Sequence, residues 1–207
     1  MNCMSDRSRG LDVSRETEAR LREYQALVIK WTGAINLVAE SQVAHLWERH
    51  ILDSAQLYPL APSDFRAWVD IGSGGGFPGL VAAIMAAEFN PDATISLIES
   101  DQRKTAFLVA AASQLRLKAK VICGRAETLE PQKADVVSAR AVAPLVKLIS
   151  FANRHLTPDG TALFPKGQHY PEEIMTARRS WAFDVDLVPS LTDPMASIVK
   201  VWNIRRA

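Results

Sequence analysis

From Ser14 to about Trp31 the apolar residues fall at Leu21, Tyr24, Leu27, Val28 and Trp31. Steps of three and four place them on one face of a helix, which Gly33 interrupts. Val43, Leu46, Trp47, His50, Ile51, Leu57 and Tyr58 repeat that spacing and predict a second helical stretch. Pro59, Ala61, Pro62, Ser63 and Asp64 then break it. Residues 1–65 read as a helical lobe. Beyond it, short apolar runs alternate with helical patterns. Strands are expected at Ala67–Ile71, Ala93–Ile98, Ala119–Cys123, Ala134–Ser138 and Thr161–Phe164. Helices are expected at Pro78–Glu88, Gln102–Leu115, Leu145–Leu156 and Pro171 to about Arg179, with Thr157-Pro-Asp-Gly160 as a turn. Phe183–Val188 and Ile198–Ile204 alternate and predict a final antiparallel pair. Strand and helix in alternation imply an α/β fold for residues 66–207, a mostly parallel, doubly wound, Rossmann-like sheet with an antiparallel last strand.

Composition narrows the classes without choosing one. The chain has 207 residues, 48% hydrophobic and 23% charged, enough for a sizeable core and close to the globular average. A formal net charge of +1 neither demands nor excludes a nucleic-acid partner, because recognition depends on where the charges sit. Cys3 and Cys123 show no disulfide or metal-ligand spacing, so neither a disulfide nor a metal is expected. The first ten residues are polar, without the apolar core of a signal peptide, and no apolar run reaches membrane-spanning length. A cytoplasmic protein with no membrane association is expected, and nothing in the pattern calls for an obligate protein partner.

The densest chemistry follows the first strand, at Asp70-Ile-Gly-Ser-Gly-Gly-Gly-Phe-Pro-Gly79. Gly72, Gly74 and Gly76 keep Cβ atoms out of the way, so a ligand can approach the backbone where doubly wound sheets bind ligands. Gly74, Gly76 and Gly79 also fit a dinucleotide fingerprint, but they begin two residues past the strand. Asp70 at the strand's end would repel a pyrophosphate and attract the ammonium of a methionine moiety; alternatively it caps the turn. Glu99, at the end of the next strand, can accept both hydroxyls of a ribose, or is a solvated strand end. Asp101 reads as a helix N-cap. Gly124-Arg-Ala-Glu127 follows the third strand and either meets an adenine edge, through a polar side chain or the backbone of Ala126 and Glu127, or is a surface turn. Together these features point to S-adenosylmethionine.

The glycine loop, Trp31 with Asn36-Leu37, Arg49-His-Ile-Leu-Asp-Ser54, Gly124-Arg-Ala-Glu127, Ser138-Ala-Arg-Ala141 and Lys166-Gly-Gln168 resemble, in order and spacing, the small-subunit ribosomal RNA guanine-N7 methyltransferases, RsmG or GidB. The resemblance covers nearly the whole chain and is weakest in the first dozen residues and from Pro171 to Met195. Gly75 stands where some members have proline or alanine. It implies a class I methyltransferase fold and methyl transfer from S-adenosylmethionine to N7 of one guanine of 16S rRNA, near the decoding site of the small ribosomal subunit. It also implies cofactor contacts at Gly72, Phe77, Ala126, Glu127 and Arg140, with Glu99 on the ribose.

The acceptor chemistry is consistent with this. After the fourth strand, Ser138-Ala-Arg-Ala-Val-Ala-Pro144 lacks the polar-Pro-Pro-aromatic motif of amine methylation, and neither cysteine is placed as a nucleophile. Guanine N7 carries an in-plane lone pair and no proton, so alignment without a general base suffices. Arg140 either contacts the guanine or a phosphate, or packs against the cofactor or pairs with a carboxylate. Lys166 either binds RNA phosphate or is an ordinary solvated lysine. His50, on the apolar face with Leu46 and Trp47, reads as a satisfied core residue sooner than as a catalyst. Arg15, Arg20, Arg22 and Lys30 either touch RNA or form a solvated face, and Arg205 and Arg206 either add phosphate contacts or fray. Rival readings are a small-molecule methyltransferase with the lobe as a lid, an NAD-dependent oxidoreductase, and a non-catalytic RNA-binding module.

Overall fold

A computed structural model describes residues 11–207; the polar start that carries Cys3 lies outside them. Seven strands form one sheet: β1 (Ala67–Ile71), β2 (Thr94–Glu99), β3 (Ala119–Cys123), β4 (Ala134–Ser138), β5 (Leu156–Lys166), β6 (Trp181–Pro189) and β7 (Ser197–Arg206). Their order is β3-β2-β1-β4-β5-β7-β6. The first five strands run parallel, and β7 lies antiparallel between β5 and β6. The chain reverses its direction of travel across the sheet between β1 and β4, the switch point at which such sheets open a crevice.

Strand alternation sends side chains into two cores. Trp68, Ile95, Leu97, Val136 and Leu163 join the core formed with α1 (Arg15–Thr32), α3 (Gly79–Phe89) and α4 (Gln102–Gln114). Val69, Ile71, Ile98, Val137 and Phe164 face the other, formed with α5 (Leu145–His155) and α6 (Tyr170–Ala177). Because both faces of the sheet are covered, the central strands read as continuous apolar runs, which is why their boundaries are visible in the sequence.

The lobe is not a separate core. Leu21, Tyr24 and Val28 are fully buried in the same cluster as Phe77, Leu80, Leu97 and Phe107. Ser14 caps α1 by accepting from the amide of Thr17, and its own amide and hydroxyl donate to Glu88 near the end of α3.

Three expectations differ from what is found. The second helical stretch is broken into a 3₁₀ turn (Glu40–His45), a π-helical turn (Trp47–Leu52), the three-residue α2 (Asp53–Ala55) and another 3₁₀ turn (Tyr58–Leu60). Its apolar spacing fits one helical face, but the wide π turn rotates Arg49, His50 and Asp53 toward the crevice. The expected turn at Thr157–Gly160 lies inside β5. Register jumps from Ala134↔Leu156 to Val136↔Thr161, so the intervening residues bulge, with Pro158 and Asp159 exposed. Arg205 and Arg206 do not fray; they pair with Ala182 and Trp181 of β6.

Since lobe and sheet share one core, Leu21→Ala should lower the unfolding free energy by about 2–5 kcal/mol in a single transition. Coincident denaturation curves by Trp fluorescence and far-UV circular dichroism would show it; a separate early transition of the lobe would contradict a shared core.

Candidate functional site

Three turns meet at the carboxyl ends of β1, β2 and β3. The amides of Gly72 and Ser73 donate to the carbonyl of Ile98 at 2.8 and 3.1 Å, and that of Gly124 donates to the carbonyl of Glu99 at 2.9 Å. Glu99, nearly buried, accepts from the amide of Gly74 at 2.8 Å with one oxygen and from that of Asp101 at 2.8 Å with the other. Its carboxylate is therefore no solvated strand end; it is pinned to the glycine loop, with lone pairs remaining for a diol. Asp101 is the N-cap of α4, accepting from Arg103 and Lys104.

Asp70 lies beneath the loop, fully buried. One oxygen accepts from the amide of Gly79 at 3.1 Å, at the start of α3, and the other from the hydroxyl of Ser138 at 2.7 Å, at the end of β4. Trp68 Nε1 donates to the same hydroxyl at 2.8 Å. These contacts are those of a cap that joins β1, α3 and β4. Burial pushes the carboxyl up to about 6, although the bonds from Ser138 and Gly79 pull the other way.

Two glycines answer to close packing. At Gly76, φ is 94° and a Cβ would meet Leu80 Cδ1 and the Tyr24 hydroxyl, both at 2.6 Å. At Gly72, φ is 67° and a Cβ would come within 2.5 Å of Val142. The Tyr24 hydroxyl donates to the carbonyl of Gly75, tying α1 to the loop. Phe77 is buried between Tyr24 and His50, at ring distances of 5.3 and 5.0 Å.

Beside the loop is a cavity of about 210 Å³. Ile71, Ile98 and Phe151 give it apolar walls, and Ser100, Ala126, Glu127 and Lys147 a polar rim. Its Gly124–Glu127 edge is held from α5. Lys147 pairs with Glu127 at 2.9 Å, and buried His155 donates from Nε2 to the carbonyl of Ala126 at 2.8 Å. Apolar walls with hydrogen-bonding groups at one edge suit an adenine ring.

A cleft of about 750 Å³ lies on the other side of the Arg140–Ala143 segment, between the lobe, the end of β5 and the β6–β7 connection. Arg140 stands in its wall and donates to Asp53 at 3.0 Å, to the carbonyl of Arg49 at 3.1 Å and to His50 Nδ1 at 2.6 Å, with its guanidinium 5.1 Å from the Phe77 ring. The carboxylate pairing considered for Arg140 is present. Three of its five N–H groups are used, which leaves two to donate elsewhere. Lys166 lines the cleft but is not an ordinary solvated lysine. It is mostly buried and bonded to Glu173 at 2.7 Å, and Glu173 in turn accepts from the amide of Leu145 at 2.6 Å. Lys166 and Glu173 thereby anchor the start of α5.

His50 is the clear correction. It is half-buried in the cleft wall, with Nε2 2.7 Å from Gln42 Oε1. Burial first, and Arg140 next, lower its pKa to about 4, so the imidazole is neutral near pH 7. Asp53 carried no role in the sequence reading, yet it holds Arg140, Gln56 and Thr192 at once. Their spacing of three would put them on one side of an α-helix, but the π turn that faces them to the cleft leaves no such signal in the sequence. Of the lobe's cations, Arg22 stacks over Trp47 at 3.3 Å.

A family model described as rRNA small subunit methyltransferase G (GidB) matches residues 17–199. The chain is 52% identical over 191 residues to the ribosomal RNA small subunit methyltransferase G of Cereibacter sphaeroides, covering 92% of this chain and 93% of that one. It is 48% identical over 196 residues to the protein of that name from Ruegeria pomeroyi, covering 95% and 96%. A solved SAM-dependent methyltransferase from Aquifex aeolicus superposes with a TM-score of 0.60 at 12% identity, over 86% of this chain and 97% of that one. At that identity the likeness concerns the fold, which is that of the Rossmann-like methyltransferases.

A folded-state value near 6 for Asp70 exceeds its unfolded value of 3.8, so the native state binds the proton more tightly. Its contribution is fully present below pH 4 and is lost as pH rises toward 6, a loss on the order of 3 kcal/mol. Asp70→Asn should remove that loss. The gap in unfolding free energy between variant and parent should therefore move by about that amount in the variant's favour from pH 3 to pH 7; a constant gap would show that burial does not raise the Asp70 pKa.

Proposed function

Because the chain belongs to the rRNA small subunit methyltransferase G family, we propose that it transfers the methyl group of S-adenosylmethionine to N7 of a single guanine of 16S rRNA, near the decoding site. The observation that carries this reading is the placement of two recesses on either side of Arg140–Ala143. One has the walls and rim for adenine, and the other has room for a nucleotide drawn out of its stack.

On this reading Ile71, Ile98 and Phe151 enclose the adenine, and the Ala126–Glu127 backbone meets its edge. Glu99, already oriented by the amide of Gly74, takes the ribose hydroxyls. Gly72 and Gly74 let the methionine arm lie on the backbone, Phe77 supports the loop from the lobe side, and Asp70 supplies negative charge beneath the ammonium. S-adenosylmethionine brings an electrophilic methyl on sulfur. The N7 lone pair forms the new N–C bond as the C–S bond breaks, and the positive charge passes from sulfur to the guanine. No proton leaves N7, so no base is required.

Three acid–base groups of the cleft fit that economy. His50, Asp53 and Glu173 are each engaged with a cation or an amide, Arg140 for the first two, Lys166 and Leu145 for the third. Arg140 retains two donors for guanine O6 or a phosphate, and its role is to align the acceptor. Lys166 sets the segment that follows Arg140 and meets RNA phosphate at the cleft edge. The protein acts in the cytoplasm on the small ribosomal subunit or its RNA.

Labelled methyl should pass from S-adenosylmethionine to 16S rRNA taken from cells lacking this protein, offered as free RNA and as intact small subunits, and chemistry selective for N7-methylated purines should cleave it at one guanine. Cofactor binding without label in either form would overturn the reading. Glu99→Gln loses one charge-assisted interaction and should weaken cofactor binding by about 10- to 100-fold by calorimetry; an unchanged Kd would remove Glu99 from the ribose.

A further inference from the structure

Of the three groups that hold Arg140, two are oxygens of fixed character and one is an imidazole. A guanidinium only donates. With it 2.6 Å from His50 Nδ1, that nitrogen presents its lone pair, and the ring hydrogen sits on Nε2, where it donates to Gln42 Oε1 at 2.7 Å. The ring cannot easily turn over, because it packs on Phe77 at 5.0 Å. Every element against it contributes to this arrangement: Gln42 from the 3₁₀ turn, Arg49 and Asp53 from either side of it in sequence, Phe77 from the glycine loop and Arg140 from the end of β4.

We propose that His50 is a positioning residue of the methyl transfer, whose bare Nδ1 holds the Arg140 guanidinium in the wall between the cofactor cavity and the acceptor cleft. The inference rests on the reading of Arg140 as the group that aligns the acceptor. A second proton on the ring would place N–H against N–H, and the guanidinium would turn away from His50 while keeping Asp53. Gln42 is suited to the neutral ring. Its amide oxygen accepts the Nε2 hydrogen without favouring a positive ring, as a carboxylate in its place would. Burial and the flanking arginines act in the same sense, since both disfavour the imidazolium.

The test is Gln42→Glu. A carboxylate on Nε2 stabilises the imidazolium, so the variant's kcat should acquire an acid limb between about pH 7 and 5, steepening toward tenfold per pH unit, where the parent is flat. Its Kd for S-adenosylmethionine should stay within twofold of the parent's. His50→Asn retains an acceptor near the position of Nδ1 that cannot be protonated. It should keep kcat within severalfold of the parent and, combined with Gln42→Glu, abolish the acid limb. His50→Leu should lose about 10- to 100-fold in kcat with little change in cofactor Kd. In the parent, the ¹⁵N shifts of His50 should report a bare Nδ1 and a protonated Nε2 from pH 6 to 8. A flat Gln42→Glu profile, a fully active His50→Leu, or a protonated Nδ1 would each overturn the proposal. A parent that transfers no methyl to rRNA while showing the expected ¹⁵N shifts would instead overturn the substrate reading.

Discussion

The site depends on one carboxylate that solvent does not reach. Asp70 takes the amide of Gly79 on one oxygen and the hydroxyl of Ser138 on the other. Through those two bonds the end of β1, the first turn of α3 and the end of β4 are fixed to one another. β1 and β4 are the strands between which the sheet reverses, so the contact sets the geometry of the crevice. Burial there raises the carboxyl to about 6 against the pull of its hydrogen bonds, so near pH 7 its charge is held without solvent. The fold therefore accepts a local cost at the point where it needs the loop held from below.

The lobe extends that logic from above. Tyr24 reaches the carbonyl of Gly75, and Phe77 inserts among Tyr24, His50 and Arg140. The glycine loop is thus gripped from both sides, by Asp70 beneath and α1 above. Gly76 has no side chain because Leu80 and the Tyr24 hydroxyl occupy the space where one would go. What looks in the sequence like an appended helical segment is the second wall of the site.

Legibility followed the distance over which each feature is determined. The boundaries of β1, β2, β3 and β4 follow from short apolar runs, and the glycine loop from residues within ten positions of one another. Glu99 was legible for the same reason, as the last residue of a strand. The bulge in β5 was not, because Thr157-Pro-Asp-Gly160 has the chemistry of a turn whether or not a neighbouring strand captures its ends. Nor was the environment of Arg140, whose partners Asp53 and His50 lie 87 and 90 residues away in sequence. His50 sits among apolar residues and reads as one of them until the π turn is seen to face it toward the cleft. The ion pair of Lys166 with Glu173 was hidden likewise, because a cation beside a glycine looks solvated when its partner arrives from another element.

The short segment between Arg140 and Ala143 has a thermodynamic consequence of its own. Val142 rests on the backbone of Gly72, and Arg140 two residues before it lines the cleft. Ala141 joins them in a left-handed conformation, φ 55°, which an L-residue holds only under constraint from both sides. A molecule that displaces Val142 therefore also redraws the cleft. On the proposed function the methyl donor and RNA would share this wall, and any coupling it carried would be symmetric: whatever factor one added to the affinity for the other would be returned.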